Sequence, residues 1–237
     1  MMKSFVLLGQ SNMAGRGDFG EVPEILNDRC YMQRNGRWVS MSEPINPDRH
    51  LFGAFHSGVG LSASFADEYA KHFNEDVGLI PCADGGTAIS EWQPGELLYD
   101  HAVAQAKLAQ RTSEIVGILW HQGENDSVDV EDVRRYHDRF MHMISSLIKD
   151  LNLPQSTPII IGELGEFTGG YDGGKCKFFK EINAILKRLS QELPRGGFVS
   201  SEGLTCKEDG IHFNSKSYRE FGKRYFETFL RTKENRE

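Results

Sequence analysis

The chain alternates short, nearly continuous apolar runs with longer stretches in which apolar residues recur every three or four positions. The apolar runs predict five strands, at residues 4–8, 77–82, 115–120, 158–163 and 197–200. The periodic stretches predict five helices, at residues 61–73, 97–111, 130–151, 177–193 and 215–230. Uniformly apolar strands are typical of a parallel sheet that is covered on both faces. The alternation therefore predicts an α/β protein with a three-layer α/β/α fold, in which a five-stranded parallel sheet lies between two layers of helices.

Local signals refine this picture. Residues 30–41 carry two extended runs around Asn35-Gly36, which is a strong hairpin signal, and we expect a β-hairpin inserted beside the sheet. The Asn152-Leu-Pro154 tripeptide predicts the end of the third helix, and Asn214 is the expected N-cap of the last one. Without repeats or a linker, residues 1–237 are interpreted as a single domain whose longest irregular connection is residues 43–60.

Composition and charge narrow the class of partner. The 39% of hydrophobic and 26% of charged residues are typical of a globular protein, and the net charge of −7 argues against nucleic acid. No apolar run approaches the roughly 20 residues that span a bilayer, so no membrane partner is expected. The first nine residues lack a secretory pattern, which predicts a cytoplasmic protein, although a chain whose leader had been removed would read the same. The oligomeric state stays open.

Cysteine and histidine spacing give no sign of a metal or redox centre. The four cysteines, Cys30, Cys82, Cys176 and Cys206, form no C-x-x-C pair, and the eight histidines show no ligand spacing. Reduced thiols and no metal are therefore expected.

Three glycine-rich segments resemble cofactor loops but lack the required context. Residues 15–20 and 58–63 match the dinucleotide fingerprint, yet neither follows a strand and opens a helix in the way that fingerprint requires. Residues 169–176 nearly form a phosphate-binding loop, but Cys176 stands where a magnesium-binding serine or threonine is needed. We interpret this last segment as a turn before the fourth helix and expect no cofactor.

Ser11 lies directly after the first predicted strand, at the carboxyl edge of the sheet where ligands of such folds bind. An isolated serine there is more often a helix cap, so a nucleophile needs further support. Asp209 and His212, three residues apart before the last helix, supply it. A carboxylate at that spacing can accept the Nδ1–H of the imidazole and leave Nε2 to take a proton from a serine.

Two more strand ends offer hydrogen-bond donors. Gly85 and Gly86 follow the second strand and let a backbone N–H approach a substrate, and Gln122 follows the third strand with a side-chain amide. Donors of this kind stabilise the oxyanion that forms when an ester carbonyl is attacked. A serine, a glycine N–H and an amide at neighbouring strand ends predict ester hydrolysis.

Four short blocks carry a resemblance to a known family. They are Gly9-Gln-Ser-Asn-Met13, Gly85-Gly-Thr87, His121-Gln-Gly-Glu124 and Asp209-Gly-Ile-His212, in this order. The set resembles the sialate O-acetylesterase branch of the SGNH hydrolases, which includes acetylxylan esterases of carbohydrate esterase family six. The resemblance spans residues 5–214 and implies a flavodoxin-like fold and removal of acetyl groups from sugar hydroxyls.

Carried over block by block, the resemblance assigns roles to individual residues. It implies Ser11 as nucleophile, His212 as base and Asp209 as the group that orients the base. It implies an oxyanion hole made by the N–H groups of Ser11 and Gly86 and by the Gln122 amide. Gln122 stands where many SGNH hydrolases have the asparagine of a G-x-N-D motif, which is a departure from the wider pattern.

Four further residues have two interpretations each. Glu124 either tunes His212 as a second carboxylate or ties loops together. Arg16 and Asp84 either border the pocket or anchor loops. Trp92 either offers a face to a sugar ring or packs in the core.

The sequence predicts a cofactor-free serine esterase that removes acetyl groups from a carbohydrate. Acetylxylan oligosaccharides, acetylated sialic acid and other acetylated glycans all remain open as substrates, and residues 43–60 are expected to select among them. Two alternatives stay open, a broad short-chain carboxylesterase and a non-catalytic sugar-binding protein on the same fold.

Overall fold

The computed structural model describes residues 1–47 and 56–234. In these residues one sheet has strands β1 Met2–Gly9, β2 Cys30–Arg34, β3 Arg37–Ser40, β4 Val77–Pro81, β5 Ser113–His121, β6 Ile159–Gly162 and β7 Gly196–Val199. Their order across the sheet is β3-β2-β4-β1-β5-β6-β7, and all neighbours are parallel except β2 and β3. The five predicted parallel strands are confirmed, each within two residues of its predicted ends.

The hairpin is confirmed, but it belongs to the sheet, so the sheet has seven strands where five were predicted. Asn35 and Gly36 have φ of 49° and 71°, the left-handed values that a two-residue hairpin turn requires. Strand β2 pairs in parallel with β4, which places Cys30 opposite Val77. The hairpin thereby covers a β4 edge that would otherwise expose unpaired backbone groups.

The described part of the chain also has six α-helices: α1 Ser11–Ala14, α2 Leu61–Phe73, α3 Leu97–Gln110, α4 Val130–Asp150, α5 Phe179–Glu192 and α6 Ser215–Glu234. Alternating side chains of β1 divide the core between two faces. Val6 and Leu8 pack with α3, α4 and α5, whereas Phe5 and Leu7 pack with α2 and α6. The three predicted layers follow. None of these helices has the length and apolar composition of a membrane span.

Both predicted helix boundaries are confirmed by their hydrogen bonds. Asn152 has φ of 51° directly after α4, where a left-handed residue ends a helix. The side-chain oxygen of Asn214 accepts a 2.9 Å hydrogen bond from the Ser217 N–H in the first turn of α6.

The topology places Ser11 where the strand order reverses. From the central β1, the chain first builds β2, β3 and β4 on one side and then crosses to β5 on the other. The last residue of β1, Gly9, has φ of +133°, and a Cβ there would lie 2.0 Å from the His121 carbonyl oxygen. Only glycine fits, so the chain turns sharply into α1 and presents Ser11 at the reversal point, where open α/β sheets bind ligands.

Candidate active site

Ser11, His212 and Asp209 form one hydrogen-bonded line at the carboxyl edge of the sheet. The Nε2 of His212 lies 2.9 Å from the Ser11 Oγ, across 201 residues of sequence. Its Nδ1 lies 2.8 Å from Asp209 Oδ2. Because an ionised carboxylate only accepts, Nδ1 carries the proton and Nε2 is left to accept the proton of the serine. The fold therefore brings the three predicted residues together, and the Ser11 hydroxyl lies within hydrogen-bond distance of His212.

The Asp209 carboxyl stays ionised because groups of its own loop donate hydrogen bonds to it. Partial burial would raise the pKa of this carboxyl, but hydrogen bonds from the backbone and ring of His212 and from the Ile211 N–H outweigh burial and lower the pKa. Oδ1 accepts the two backbone N–H groups at 3.0 and 3.1 Å. The carboxylate therefore remains available to hold the imidazole and to stabilise its protonated form.

The loop that carries Asp209 and His212 is closed by backbone and lysine contacts. The Lys207 N–H donates to the His212 carbonyl oxygen at 2.8 Å. The Lys207 ammonium donates to the Arg16 carbonyl oxygen at 2.8 Å and to Asp18 Oδ1 at 2.7 Å. The loop is thus fastened to the segment that follows Ser11.

The trio opens into a cleft of about 180 Å³. Its walls include Gly86 and Asn125 on one side and Tyr171, Lys175 and Cys176 on another. Residues 169–176, interpreted from the sequence as only a turn, therefore contribute to the cleft. A second cleft of about 410 Å³ shares His212 with the first, and a third of about 210 Å³ shares Gly85 with it.

Backbone donors face the catalytic cleft. Ser11 and Gly86 both line it, and neither N–H has a hydrogen-bond partner among the described residues. At neighbouring Gly85, a Cβ would lie 2.6 Å from the Arg16 guanidinium, so a side chain there would displace the end of the Arg16 side chain. Both predicted N–H donors are therefore placed beside Ser11.

Gln122 does not fit its predicted role as an oxyanion donor, which the structure corrects. The side chain is fully buried below the cleft. Its Nε2 donates to the Thr87 carbonyl oxygen at 2.9 Å and to Asp126 Oδ2 at 2.5 Å, and its Oε1 accepts from the Tyr136 hydroxyl at 2.9 Å. Both amide protons are committed, so Gln122 supports the Gly85–Thr87 loop from beneath.

Asn125 offers the side-chain amide in place of Gln122, although it is not among the residues predicted from the sequence. It lines the catalytic cleft, and its Nδ2 donates to the Gly86 carbonyl oxygen at 3.1 Å. The sequence contained a signal for Asn125. Gly123-Glu124-Asn125-Asp126 matches the G-x-N-D motif, and its asparagine stands three residues after Gln122.

Asp126 ties this segment to the loop that carries the glycines. Its Oδ2 accepts the Ile89 N–H at 2.9 Å as well as the Gln122 amide. Burial raises the pKa of Asp126 to about 6, although these two hydrogen bonds act in the opposite direction. A carboxyl with few counter-charges is therefore buried under the cleft floor.

Glu124 is a buried structural carboxylate and does not bond to His212. Its Oε1 accepts from Asn12 Nδ2 at 2.5 Å and lies 3.6 Å from His121 Nε2. Complete burial would raise the pKa of Glu124, but the His121 ring and the Asn12 amide outweigh burial and lower it. Of the two interpretations open from the sequence, the geometry agrees with the group that ties loops together.

The remaining predicted residues divide between cleft and core. Arg16 lines all three clefts, and its guanidinium donates to the Gly15 carbonyl oxygen at 2.9 Å. Asp84 lines the third cleft. Trp92 is only 1% exposed and packs on Trp120 with ring centroids 5.7 Å apart, so of its two interpretations the geometry agrees with core packing and not with a sugar-binding surface.

An exposed aromatic residue does border the site, at a different position. Phe19 is 60% exposed and lines the second cleft, to which His212 also belongs. The loop at residues 43–60 is the segment predicted to select the sugar. Its residues 48–55 lie outside the described residues, and its Asn46 and Ser57 line the third cleft. Across residues 1–47 and 56–234, no cluster of three histidine, cysteine or acidic side chains could hold a metal ion.

Comparisons with known proteins agree on the family. A family model described as carbohydrate esterase, sialic acid-specific acetylesterase, matches residues 1–231. A probable carbohydrate esterase of Arabidopsis thaliana is 31% identical and covers 95% of this chain and 89% of its own length. The X-ray structure of an Arabidopsis protein superposes with a TM-score of 0.80 at 29% identity, over 97% of this chain and 98% of that chain.

Two more distant structures share the fold. The crystal structure of NanS has a TM-score of 0.80 at 17% identity and covers 99% of this chain and 98% of its own. A carbohydrate acetylesterase from Xanthomonas citri has a TM-score of 0.69 at 19% identity and covers 94% of this chain and 54% of its own. Together with the family match over nearly all residues, these likenesses confirm the resemblance drawn from the four blocks. The chain belongs to the carbohydrate esterase family described as sialic acid-specific acetylesterases and has the α/β fold of the SGNH hydrolases.

Proposed function

We propose that the protein removes O-acetyl groups from a carbohydrate through a serine-bound acetyl intermediate. The observation that carries this proposal is the hydrogen-bonded line from Asp209 through His212 to the Ser11 hydroxyl, with distances of 2.8 and 2.9 Å, at the mouth of a cleft. A serine needs a base within such a distance, and the base needs a partner that fixes its tautomer.

The reaction runs in two displacement steps. The Ser11 oxygen attacks the acetyl carbonyl carbon while His212 Nε2 takes the serine proton, and the tetrahedral intermediate collapses as the imidazolium protonates the departing sugar oxygen. Water then attacks the acetyl-serine ester with His212 as base, and the proton returns to Ser11 as acetate leaves. The Asp209 carboxylate stabilises the imidazolium in both steps.

The negative charge on the carbonyl oxygen needs donors, and three surround Ser11. We assign this role to the N–H groups of Ser11 and Gly86 and to the Asn125 amide. Both N–H groups lack a partner among the described residues, and the Asn125 amide lies beside Gly86. Each donor in such a site contributes about 100-fold to 1,000-fold in rate.

The clefts support a short acyl group and a bulky alcohol. The catalytic cleft of about 180 Å³ favours acetyl, which agrees with the family. Because the leaving oxygen takes its proton from His212, the sugar lies on the side of that residue, toward the 410 Å³ cleft. Phe19 is the exposed ring there, and a sugar can stack on it.

Acetate release over a panel of acetylated sugars tests the proposal. The panel contains acetylated xylooligosaccharides, O-acetylated sialic acids and acetylated glucosides, with butyryl esters for comparison. Ser11→Ala should lower kcat/KM by at least about 1,000-fold, because it removes the nucleophile. Ser4→Ala is the matched control, since Ser4 is buried on strand β1 before Ser11 and, within the described residues, its side chain bonds to residues 113 and 114.

The outcomes separate the alternatives. Acetate release with rejection of butyryl esters supports the acetylesterase, and equal use of both acyl lengths supports a broad carboxylesterase. A loss of less than about tenfold in Ser11→Ala contradicts the serine mechanism. Sugar binding without any acetate release identifies a binding protein.

A further inference from the structure

Asn12 directly follows the candidate nucleophile and holds the backbone on both sides of the candidate base. Its Nδ2 donates to the Ile211 carbonyl oxygen at 3.0 Å, and its Oδ1 accepts from the Phe213 N–H at 3.2 Å. Ile211 and Phe213 are the two neighbours of His212. We propose that Asn12 is a positioning residue that sets the distance between Ser11 and His212, an inference that rests on the proposed function.

The partners of Asn12 fix its orientation. The second Nδ2 proton goes to Glu124 Oε1 at 2.5 Å, and the second lone pair of Oδ1 accepts from the Tyr218 hydroxyl at 2.7 Å. The Ile211 carbonyl oxygen and the Glu124 carboxylate can only accept, and the Phe213 N–H can only donate, so a flipped amide would lose these three hydrogen bonds. The side chain is 1% exposed, and all of its hydrogen-bonding capacity is used.

Glu124, which follows strand β5, holds the Asn12 side chain in place. Its carboxylate is buried, and its other oxygen has no partner among the described residues, so the hydrogen bond from Asn12 is charge-assisted and strong. Asn12 therefore connects the strand end that carries Ser11, the strand end that carries Glu124 and the loop that carries His212.

This connection matters because the other ties of the His212 loop are less protected. The Lys207 ammonium and the Asp209 carboxylate are partly exposed, with 23% and 39% of their side chains accessible. Asn12 is the buried contact, and it belongs to the residue next to the nucleophile. A misplacement of about 1 Å between reacting groups costs on the order of 100-fold in rate, so a small relaxation of the loop should be visible in kcat.

The test compares Asn12→Ala with Asn183→Ala. Asn183 is a matched buried asparagine that bonds to the N–H and the carbonyl oxygen of Leu164 at 2.8 and 3.0 Å, away from the trio. Active sites are counted by the burst of a chromogenic acetate ester, and kcat per titrated site, KM and the melting temperature are measured. We expect Asn12→Ala to lower kcat by about 100-fold with KM changed less than about threefold. Asn183→Ala should lose stability but keep kcat.

A double variant keeps the test decisive if Asn12→Ala folds poorly. In Asn12→Asp with Glu124→Gln, the glutamine can donate to the aspartate, which still accepts from Phe213 and Tyr218. Of the four hydrogen bonds of Asn12, only the one to Ile211 is lost, because two acceptor oxygens face each other there. We expect this variant to be more stable than Asn12→Ala and still to show a kcat lowered by at least about tenfold.

A readout without turnover separates this inference from the proposed function. The proton between His212 Nδ1 and Asp209 is followed by NMR with labelled histidine, and its signal should weaken or shift in Asn12→Ala but not in Asn183→Ala. A wild-type protein that releases no acetate contradicts the proposed function, and the NMR comparison still decides the role of Asn12. Either an unchanged signal in Asn12→Ala or a kcat within about threefold of that of Asn183→Ala overturns the inference.

Discussion

The protein contains two carboxylate–imidazole pairs with the same three-residue spacing, and they differ in almost everything else. Asp209 and His212 lie 2.8 Å apart on a loop, with 39% and 19% of their side chains exposed. His121 and Glu124 lie 3.6 Å apart at the end of β5, with 0% and 1% exposed. The exposed pair contacts the Ser11 hydroxyl, and the buried pair contacts Asn12.

The surroundings explain why only one pair can do acid–base chemistry. Tyr225 donates its hydroxyl proton to the Trp120 carbonyl oxygen at 2.9 Å, so the His121 Nδ1, 3.3 Å away, must donate to Tyr225. His121 also packs edge-on against Phe221. Its ring therefore has no open side toward a substrate, whereas the His212 Nε2 faces a cleft. Equal spacing in sequence thus gives the proposed catalytic pair in one place and an internal structural contact in the other.

Replacing His212 and His121 in turn tests most directly whether the two pairs differ in role. His212→Asn should lower kcat/KM by about 10,000-fold, because it removes the base that accepts the serine proton. His121→Asn should lower the melting temperature while kcat per titrated site falls by less than about tenfold. Acetate release and thermal unfolding of both variants are measured in parallel. Equal losses of kcat in the two variants would show that the pairs do not differ in role.

Glu124→Gln examines the buried pair from the carboxylate side. Glutamine removes the charge that accepts the hydrogen bond from Asn12, and a hydrogen bond to a charged group contributes up to about 3 kcal/mol, so the free energy of unfolding at pH 7 should fall by up to about 3 kcal/mol. Activity per site should change less, because glutamine can still accept from Asn12. Urea unfolding and site titration measure the two effects.

The pH dependence of that variant follows from the lowered pKa of Glu124. The stability that its carboxylate contributes is present above the ordinary carboxyl pKa of 4.5 and is lost as the pH falls through the lower folded-state pKa. The difference in stability between wild type and Glu124→Gln should therefore shrink below pH 4.5. A difference that stays constant down to pH 3 contradicts the assignment.

Asp126→Asn should show the opposite slope of stability against pH. The pKa of Asp126 is raised from 3.8 to about 6, so the folded protein holds this proton more tightly than the unfolded chain does. The stability of wild type relative to the variant is full below pH 4 and falls as the pH rises through about 6, by up to about 3 kcal/mol. Urea unfolding between pH 4 and 7 measures it, and a gain of relative stability with rising pH would contradict the burial argument.

Sequence reasoning succeeded where the chemistry is local. Apolar runs placed all five parallel strands, and Asn35, Asn152 and Asn214 marked a turn and two helix ends. These features depend on a few adjacent residues. The seven-stranded sheet needed tertiary information, because whether a hairpin joins an edge depends on the partner edge being open.

The wrong prediction for Gln122 and the open question at Trp92 have a common physical origin. Both residues carry suitable functional groups at strand and loop ends, but both side chains turn inward and pack or bond in the core. Asn125 borders a cleft and stands in a G-x-N-D match that was not used, whereas Phe19 borders a cleft with no motif around it. The inward or outward direction of a side chain at a chain reversal is set by packing, and local sequence does not encode it.

The sequence by itself determined the alternation of strands and helices and supplied every group that the proposed reaction uses, because periodicity and residue type are properties of the chain. Only the tertiary structure decided which groups meet. Ser11 and His212 are 201 residues apart and lie within hydrogen-bond distance because a buried asparagine and a lysine fasten their loops together. Those contacts depend on the packed sheet beneath them, which exists only after folding.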